Sequence, residues 1–257
     1  MDGGLPHHEI TGSGPPLLLL HAFGLCGAVW RPVVPLLATD RRVIVVDLPG
    51  HGRSPATACD PPGYAREIGL LLDRLDIGRV DVAGNSIGGW TALELARAGR
   101  AASVTALSPA GLWPDAEPVV RRARFLVEHT AAHAALPVLR RLVRTRRGRT
   151  LLFSEAMATP DALPADDAVT LLQAYAGVQD MRAHLAARRR TRFTGGRDLT
   201  QPITVAWGAR DRLIPPAARN RAELPPQTRW FDLPGCGHVM MWDAPELVAA
   251  TVRGGTD

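Results

Sequence analysis

A serine lies between two glycines in Gly84-Asn85-Ser86-Ile87-Gly88, where an expected strand over 79–83 gives way to a helical pattern over 87–98. A serine on so tight a strand-to-helix turn is lifted clear of the sheet, with small residues two before and two after leaving room for the bend. The start of the following helix also points unpaired N–H groups at the same place, where an oxyanion could be held. A hydroxyl becomes a nucleophile only with a base beside it, and the base needs an orienting group. Leu233-Pro-Gly-Cys-Gly-His238 offers the base on a loop that Gly235 and Gly237 allow to turn sharply. Val205-Ala-Trp-Gly-Ala-Arg-Asp211 offers the acid on the loop after another apolar run. Taken singly, each has an ordinary reading: a glycine-rich turn with an incidental serine, one histidine of eight, one loop aspartate of many. Taken together, all three fall just past the ends of expected strands, where open α/β sheets build their sites.

The elements that must position these residues alternate. Strands are expected over 17–20, 42–47, 79–83 and 103–107, with helices over 28–38, 64–75 and 87–98 between them. The VIVV run over 43–46 has the composition of a strand buried on both faces. In the helix over 64–75, Ile68, Leu71, Leu72 and Leu75 fall at helical spacing. Short apolar strands separated by helices imply a mostly parallel sheet covered on both faces. From Trp113 the strand signal stops, and four helices are expected over 118–133, 137–147, 163–175 and 178–190. Strands return over 203–207 and 228–233, with helices over 216–223 and 245–252. The expected organisation is an α/β core in two parts, 1–112 and 195–257, interrupted by a helical segment over 113–194.

Composition narrows the function classes. The 257 residues are 46% hydrophobic and 21% charged, enough to bury a core and too apolar for a disordered chain. Three scattered cysteines, Cys26, Cys59 and Cys236, give neither a disulfide framework nor a zinc ribbon. No apolar run reaches the roughly 18 residues of a membrane helix. The run beginning at Leu17 lacks a basic segment before it, so the expectation is a cytoplasmic protein with no membrane partner. All 30 cations are arginine, and residues 112–197 carry 15 of them against 8 acids, a net of +7. Without an aromatic stacking pattern or a DNA-binding motif, these arginines read as a solvated helical surface, or as a rim attracting an anionic small molecule; no nucleic-acid partner is expected. Asp47 has no companion ligands at metal spacing, and Gly12-Ser-Gly14 precedes a strand where a dinucleotide fingerprint would follow one, so no metal or cofactor is expected. Cys26 and Cys236 read as buried inert thiols, and His21 and His51 as structural braces. Trp113, Phe125, Phe153, Met157, Tyr175, Val239 and Trp242 are candidates for an apolar substrate pocket, each also compatible with ordinary core.

With these residues assembled, the chain resembles an α/β-hydrolase over nearly its whole length. The segment Leu17-Leu-Leu-Leu-His21-Ala22-Phe23-Gly24 is similar to the family's first core strand and oxyanion loop. Asp47-Leu-Pro-Gly-His-Gly-Arg-Ser54 resembles its loop after the next strand, Gly84 to Gly89 its nucleophile elbow, and the Asp211 and His238 segments its acid and histidine loops. The helical segment resembles its cap. The resemblance implies a Ser86–His238–Asp211 triad, with the Phe23 and Ile87 backbone N–H groups as the oxyanion hole. Two departures stand out: Ala22 replaces the usual glycine, and only about 14 residues precede the first core strand, so the family's leading antiparallel strands must be abbreviated or absent. The expected function is hydrolysis of a small or medium carboxylic ester or lactone through an acyl-enzyme. Three alternatives stay open: carbon–carbon bond hydrolysis of a dienone-type acid, acyl transfer or cyclisation on the same fold, and a non-catalytic ligand-binding protein.

Overall fold

The structure is a computed structural model that describes residues 4–113, 119–187 and 191–254. Its centre is a sheet of seven strands: β1 (His8–Thr11), β2 (Pro16–Leu20), β3 (Arg42–Val46), β4 (Val80–Asn85), β5 (Ala101–Leu107), β6 (Ile203–Gly208) and β7 (Arg229–Leu233). Their spatial order is β1-β3-β2-β4-β5-β6-β7. Only β1 runs antiparallel, pairing His8 to Thr11 against Val46 to Val43. Among the described residues, the part of the sheet that precedes β2 in the chain is this four-residue edge strand.

The apolar runs are explained by burial on both faces. Leu18 and Leu20 join one core cluster with Ile44, Val46, Val80 and Val82, while Leu17 and Leu19 point to the opposite face and pack with Val43, Ala83 and Leu107. The first face is covered by α2 (Pro61–Arg74) and α3 (Ile87–Arg97). Helix α2 starts where Asp60 accepts a hydrogen bond from Gly63 N at 2.8 Å, with proline in the first turn, and it buries Tyr64, Ile68, Leu71 and Leu72. The second face is covered by the 3-10 turn Gly27–Trp30, α1 (Val34–Leu37) and α9 (Pro245–Val252). Residues 28–38, expected as one helix, are split because Pro32 has no N–H to continue the ladder.

Between β5 and β6 the described residues hold α4 (Val119–Ala134), α5 (Leu136–Leu142), α6 (Arg146–Phe153), α7 (Ala165–Ala176) and α8 (Met181–Ala187). The single helix expected over 137–147 is two. Thr145 is extended and caps α6 by accepting from Gly148 N at 3.0 Å, and a side chain at Gly148 would collide with Leu142 O. The helix expected over 216–223 is only a 3-10 turn, Pro216–Ala218, since Asn220 N is drawn to Leu112 O and the Asn220 side chain accepts from Ala222 N. Arg188, Arg189 and Arg190, expected at the end of the last of these helices, lie outside the described residues, as does Pro118.

Candidate active site

Ser86 links β4, central in the sheet, to α3, and its backbone is in a region that side chains rarely occupy, with φ +56° and ψ −114°. Its neighbours hold it there. Ser86 N donates to Leu107 O on the adjacent β5, and Ser86 O accepts from Trp90 N and Ala110 N. A side chain at Gly84 would collide with Gly88 O, and one at Gly88 would lie 2.5 Å from Leu20 O. Both glycines are thus steric requirements of the turn. Ile87 is the first residue of α3, so its N–H has no carbonyl within the helix to bond.

Asp211 and His238 come from the loops after β6 and β7. His238 Nδ1 lies 2.9 Å from Asp211 Oδ2, and both side chains are almost wholly buried. The other carboxylate oxygen accepts from Leu213 N and Ile214 N at 2.8 and 2.9 Å, fixing its plane. Burial by itself would push the Asp211 carboxyl up. The charge and hydrogen bond of His238, with further bonds from Ile214 N–H and the Ser108 hydroxyl, outweigh it and hold the group below its ordinary value. The two loops touch so closely that a side chain at Gly208 would collide with Gly237 O. Asn85, beside Ser86, donates to His238 O at 2.9 Å and to Leu107 O at 3.0 Å, bringing the histidine loop against the serine turn.

Phe23 follows β2 on a loop braced from beneath. Buried His21 accepts from Leu48 N at 2.8 Å and presents its other ring nitrogen to Ala22 O at 2.8 Å. Burial lowers the His21 pKa, against the opposing pull of Asp47 and the Ala22 carbonyl, so the ring is a neutral strut. Asp47 accepts from Gly27 N and Arg53 N, tying this loop to the one after β3. His51 Nδ1 lies 3.0 Å from Pro49 O. The Phe23 ring meets His51, Phe125 and His184 edge-on at 5.2, 5.8 and 5.9 Å.

The candidate pocket residues fall in three places. Phe125 and Tyr175 press on the Phe23 loop: the Tyr175 hydroxyl donates to Phe125 O, and a side chain at Gly24 would lie 2.5 Å from Tyr175 Cδ2. Phe153, Met157, Val239 and Trp242 gather on the His238 side, in the cluster that covers the second sheet face. Trp113 packs edge-on against Trp90 at 5.9 Å, within the core cluster of the first face. Burial raises the Cys26 thiol pKa and pushes that of Cys236 up to about 11, leaving both poor nucleophiles. Among the described residues no group of three or more His, Cys, Asp or Glu side chains is gathered to hold a metal ion, and no helix is long and apolar enough to cross a membrane. Sequence reasoning passed over Asn85, Ser108 and Asp243. Of these only Asn85 carried a signal, its place beside the serine.

The family model for the alpha/beta hydrolase family matches residues 17–251. The chain belongs to this family. Among curated relatives, the epoxide hydrolase EphH of Mycobacterium tuberculosis is 34% identical over 192 residues, covering 70% of this chain and 87% of that protein. The pimeloyl-[acyl-carrier protein] methyl ester esterase of Photobacterium profundum is 29% identical over 265 residues, covering 95% and 96%. The dihydrolipoyllysine-residue acetyltransferase component of the acetoin cleaving system of Pseudomonas putida is 30% identical over 250 residues; the match spans 93% of this alpha/beta hydrolase but only 63% of that longer protein. The solved enol-lactonase from Burkholderia xenovorans has the same fold, with a TM-score of 0.73 at 22% identity over 97% of this chain and 95% of that one.

Proposed function

We propose that this alpha/beta hydrolase cleaves a small or medium carboxylic ester or lactone with Ser86 as nucleophile, His238 as general base and Asp211 as orienting acid. The observation that carries the reading is the buried His238–Asp211 pair, at 2.9 Å, tied through Asn85 to the strained serine turn. Asp211 accepts the Nδ1 proton of His238, which leaves Nε2 with a lone pair for the Ser86 hydroxyl proton. As the Ser86 oxygen attacks the carbonyl carbon, the developing oxyanion is met by the Phe23 and Ile87 N–H groups, each worth roughly 3 kcal/mol in the transition state. His238 then gives the proton to the departing alcohol oxygen. A water molecule, deprotonated by the same imidazole, releases the acid and restores the serine.

Residues 113–194 serve in this reading as a cap that excludes water from part of the site and sets which acyl groups fit. Phe125 and Tyr175 line it on the oxyanion side, and Phe153 and Trp242 on the histidine side. The ester named for one relative and the epoxide named for another make both substrate classes part of the test. A fluorophosphonate probe followed by peptide mass spectrometry should label Ser86 in the wild type and nothing in Ser86→Ala. A panel of esters, lactones, dienone acids and epoxides should give turnover on the first two. An unlabelled Ser86 together with an inert ester and lactone panel would remove the proposal, and a binding role would be left only if the dienone acids and epoxides were inert as well.

A further inference from the structure

Asp243 lies five residues after His238, in the turn before α9, and its carboxylate serves two separate chain segments. On one side Oδ2 accepts from Gly237 N at 2.8 Å, the peptide next to His238. On the other, Oδ1 accepts from Thr159 N and Thr159 Oγ1, both at 2.8 Å, and the carboxylate accepts from Ala158 N at 3.0 Å. Ala158 and Thr159 belong to the segment after α6, inside the helical stretch between β5 and β6. The same two segments meet again where Val239 N donates to Ala156 O at 2.7 Å. The approach leaves no spare room: a side chain at Gly237 would lie 2.8 Å from Ala158 N and 2.9 Å from Ala156 O.

We infer that Asp243 is a positioning residue for His238, fixing the histidine loop and the 156–159 segment as one unit. This rests on the reading of His238 as the base. The backbone on either side of the imidazole is held at successive points: Cys236 O by Arg210 N, Gly237 N by Asp243, His238 O by Asn85 and Val239 N by Ala156 O. Among these, Asp243 is the side chain that couples the loop to the helical segment. An ionised carboxylate bonding to backbone N–H groups is stronger than a neutral acceptor would be, and it has enough lone pairs for all of its donors. A rotation of the 237–238 peptide would swing the imidazole at the end of a two-bond lever, and a misplacement of about 1 Å costs on the order of a hundredfold in rate.

Asp243→Asn separates the two sides. The amide oxygen can keep the Ala158 and Thr159 donors, but its NH2 then faces Gly237 N–H, donor against donor. The expected result is a roughly tenfold to hundredfold fall in kcat and in the rate constant for fluorophosphonate labelling of Ser86, with KM changed by less than about threefold. Asp243→Glu, which keeps the charge, should recover part of the rate. Thr159→Val removes only a donor on the far side; it should lower the melting temperature and leave the labelling rate as in wild type. A wild-type labelling rate in Asp243→Asn with only a lower melting temperature would overturn the inference while leaving the hydrolase reading intact. An equal slowing in Thr159→Val would overturn it as well, because any loosening of the strap would then act alike. If Asp243→Asn does not fold, Asp243→Ser, which removes the carboxylate that reaches both Gly237 N and Thr159 N, is read in its place, and an unslowed labelling rate there refutes the role. Failure of the wild type to label at Ser86, with the ester and lactone panel inert, would remove the proposed function and this inference together.

Discussion

Asp211→Asn is the sharpest test of the proposed chemistry, because the structure says which way the new amide must face. One carboxylate oxygen now accepts from Leu213 N and Ile214 N, and the other from His238 Nδ1. If the amide oxygen takes the place between Leu213 and Ile214, the NH2 points at His238. If it turns to His238, two buried N–H donors face an NH2 and lose their acceptor, at about 1–3 kcal/mol each. The first orientation is therefore favoured by roughly 2–6 kcal/mol. In it, His238 Nδ1 must be the acceptor, and the imidazole proton moves to Nε2, the atom that has to receive the proton from Ser86. The expected loss is about 10⁴-fold in kcat, or roughly 5.5 kcal/mol of transition-state stabilisation. Stability should fall far less, since both backbone donors keep their partner. The assay is steady-state hydrolysis of a p-nitrophenyl ester, with a urea unfolding curve on the same preparation. A folded Asp211→Asn variant within about tenfold of wild type would refute the tautomer argument and place the orienting acid elsewhere.

Ser86→Ala and Ser86→Gly should both abolish ester turnover, but only glycine relieves the positive φ at this position, so Ser86→Gly should be the more stable of the two by about 1 kcal/mol in urea unfolding; equal midpoints would argue against stored strain. Folding stability should decline as the pH drops. The pKa of buried His21 is depressed, so the folded state binds fewer protons than the unfolded chain; its contribution is complete above about pH 6.5 and is lost as pH falls through the folded value. His129 adds in the same direction, and depressed Asp211 extends the loss below about pH 4. A urea midpoint that is flat or rising from neutral to mildly acid pH would contradict this. Tyr175→Ala, which uncovers Gly24 and removes the hydroxyl that donates to Phe125 O, should change the ranking of acyl chain lengths by kcat/KM. An unchanged ranking would place Tyr175 outside the pocket.

What was legible in the sequence, and what was not, follows from the range of the forces involved. The parallel sheet could be read because the LLLL and VIVV runs have no polar face to offer water, and strands buried on both sides are their natural place. The serine turn could be read because its requirements are local: Gly84 and Gly88 are demanded by atoms within a few residues or on the adjoining strand. The helix expected over 137–147 failed because Gly148 approaches Leu142 O, a break that composition alone does not announce.

The same distinction governs the histidine loop. Gly235 and Gly237 made His238 recognisable, since a glycine-rich loop after a strand is a local pattern. The residue that secures that loop was invisible, because Asp243 has its partners 6 residues back at Gly237 and 84 and 85 residues back at Thr159 and Ala158. One aspartate among the chain's acids carries no mark of that reach, while Asp211 was recognisable only because it shared its loop type and chain order with a serine and a histidine. Local steric demands thus reveal the residues proposed for the chemistry, and only the fold reveals what holds them. On this argument the variants that separate rate from stability are those at Asp243, where the histidine loop and the helical segment share one carboxylate.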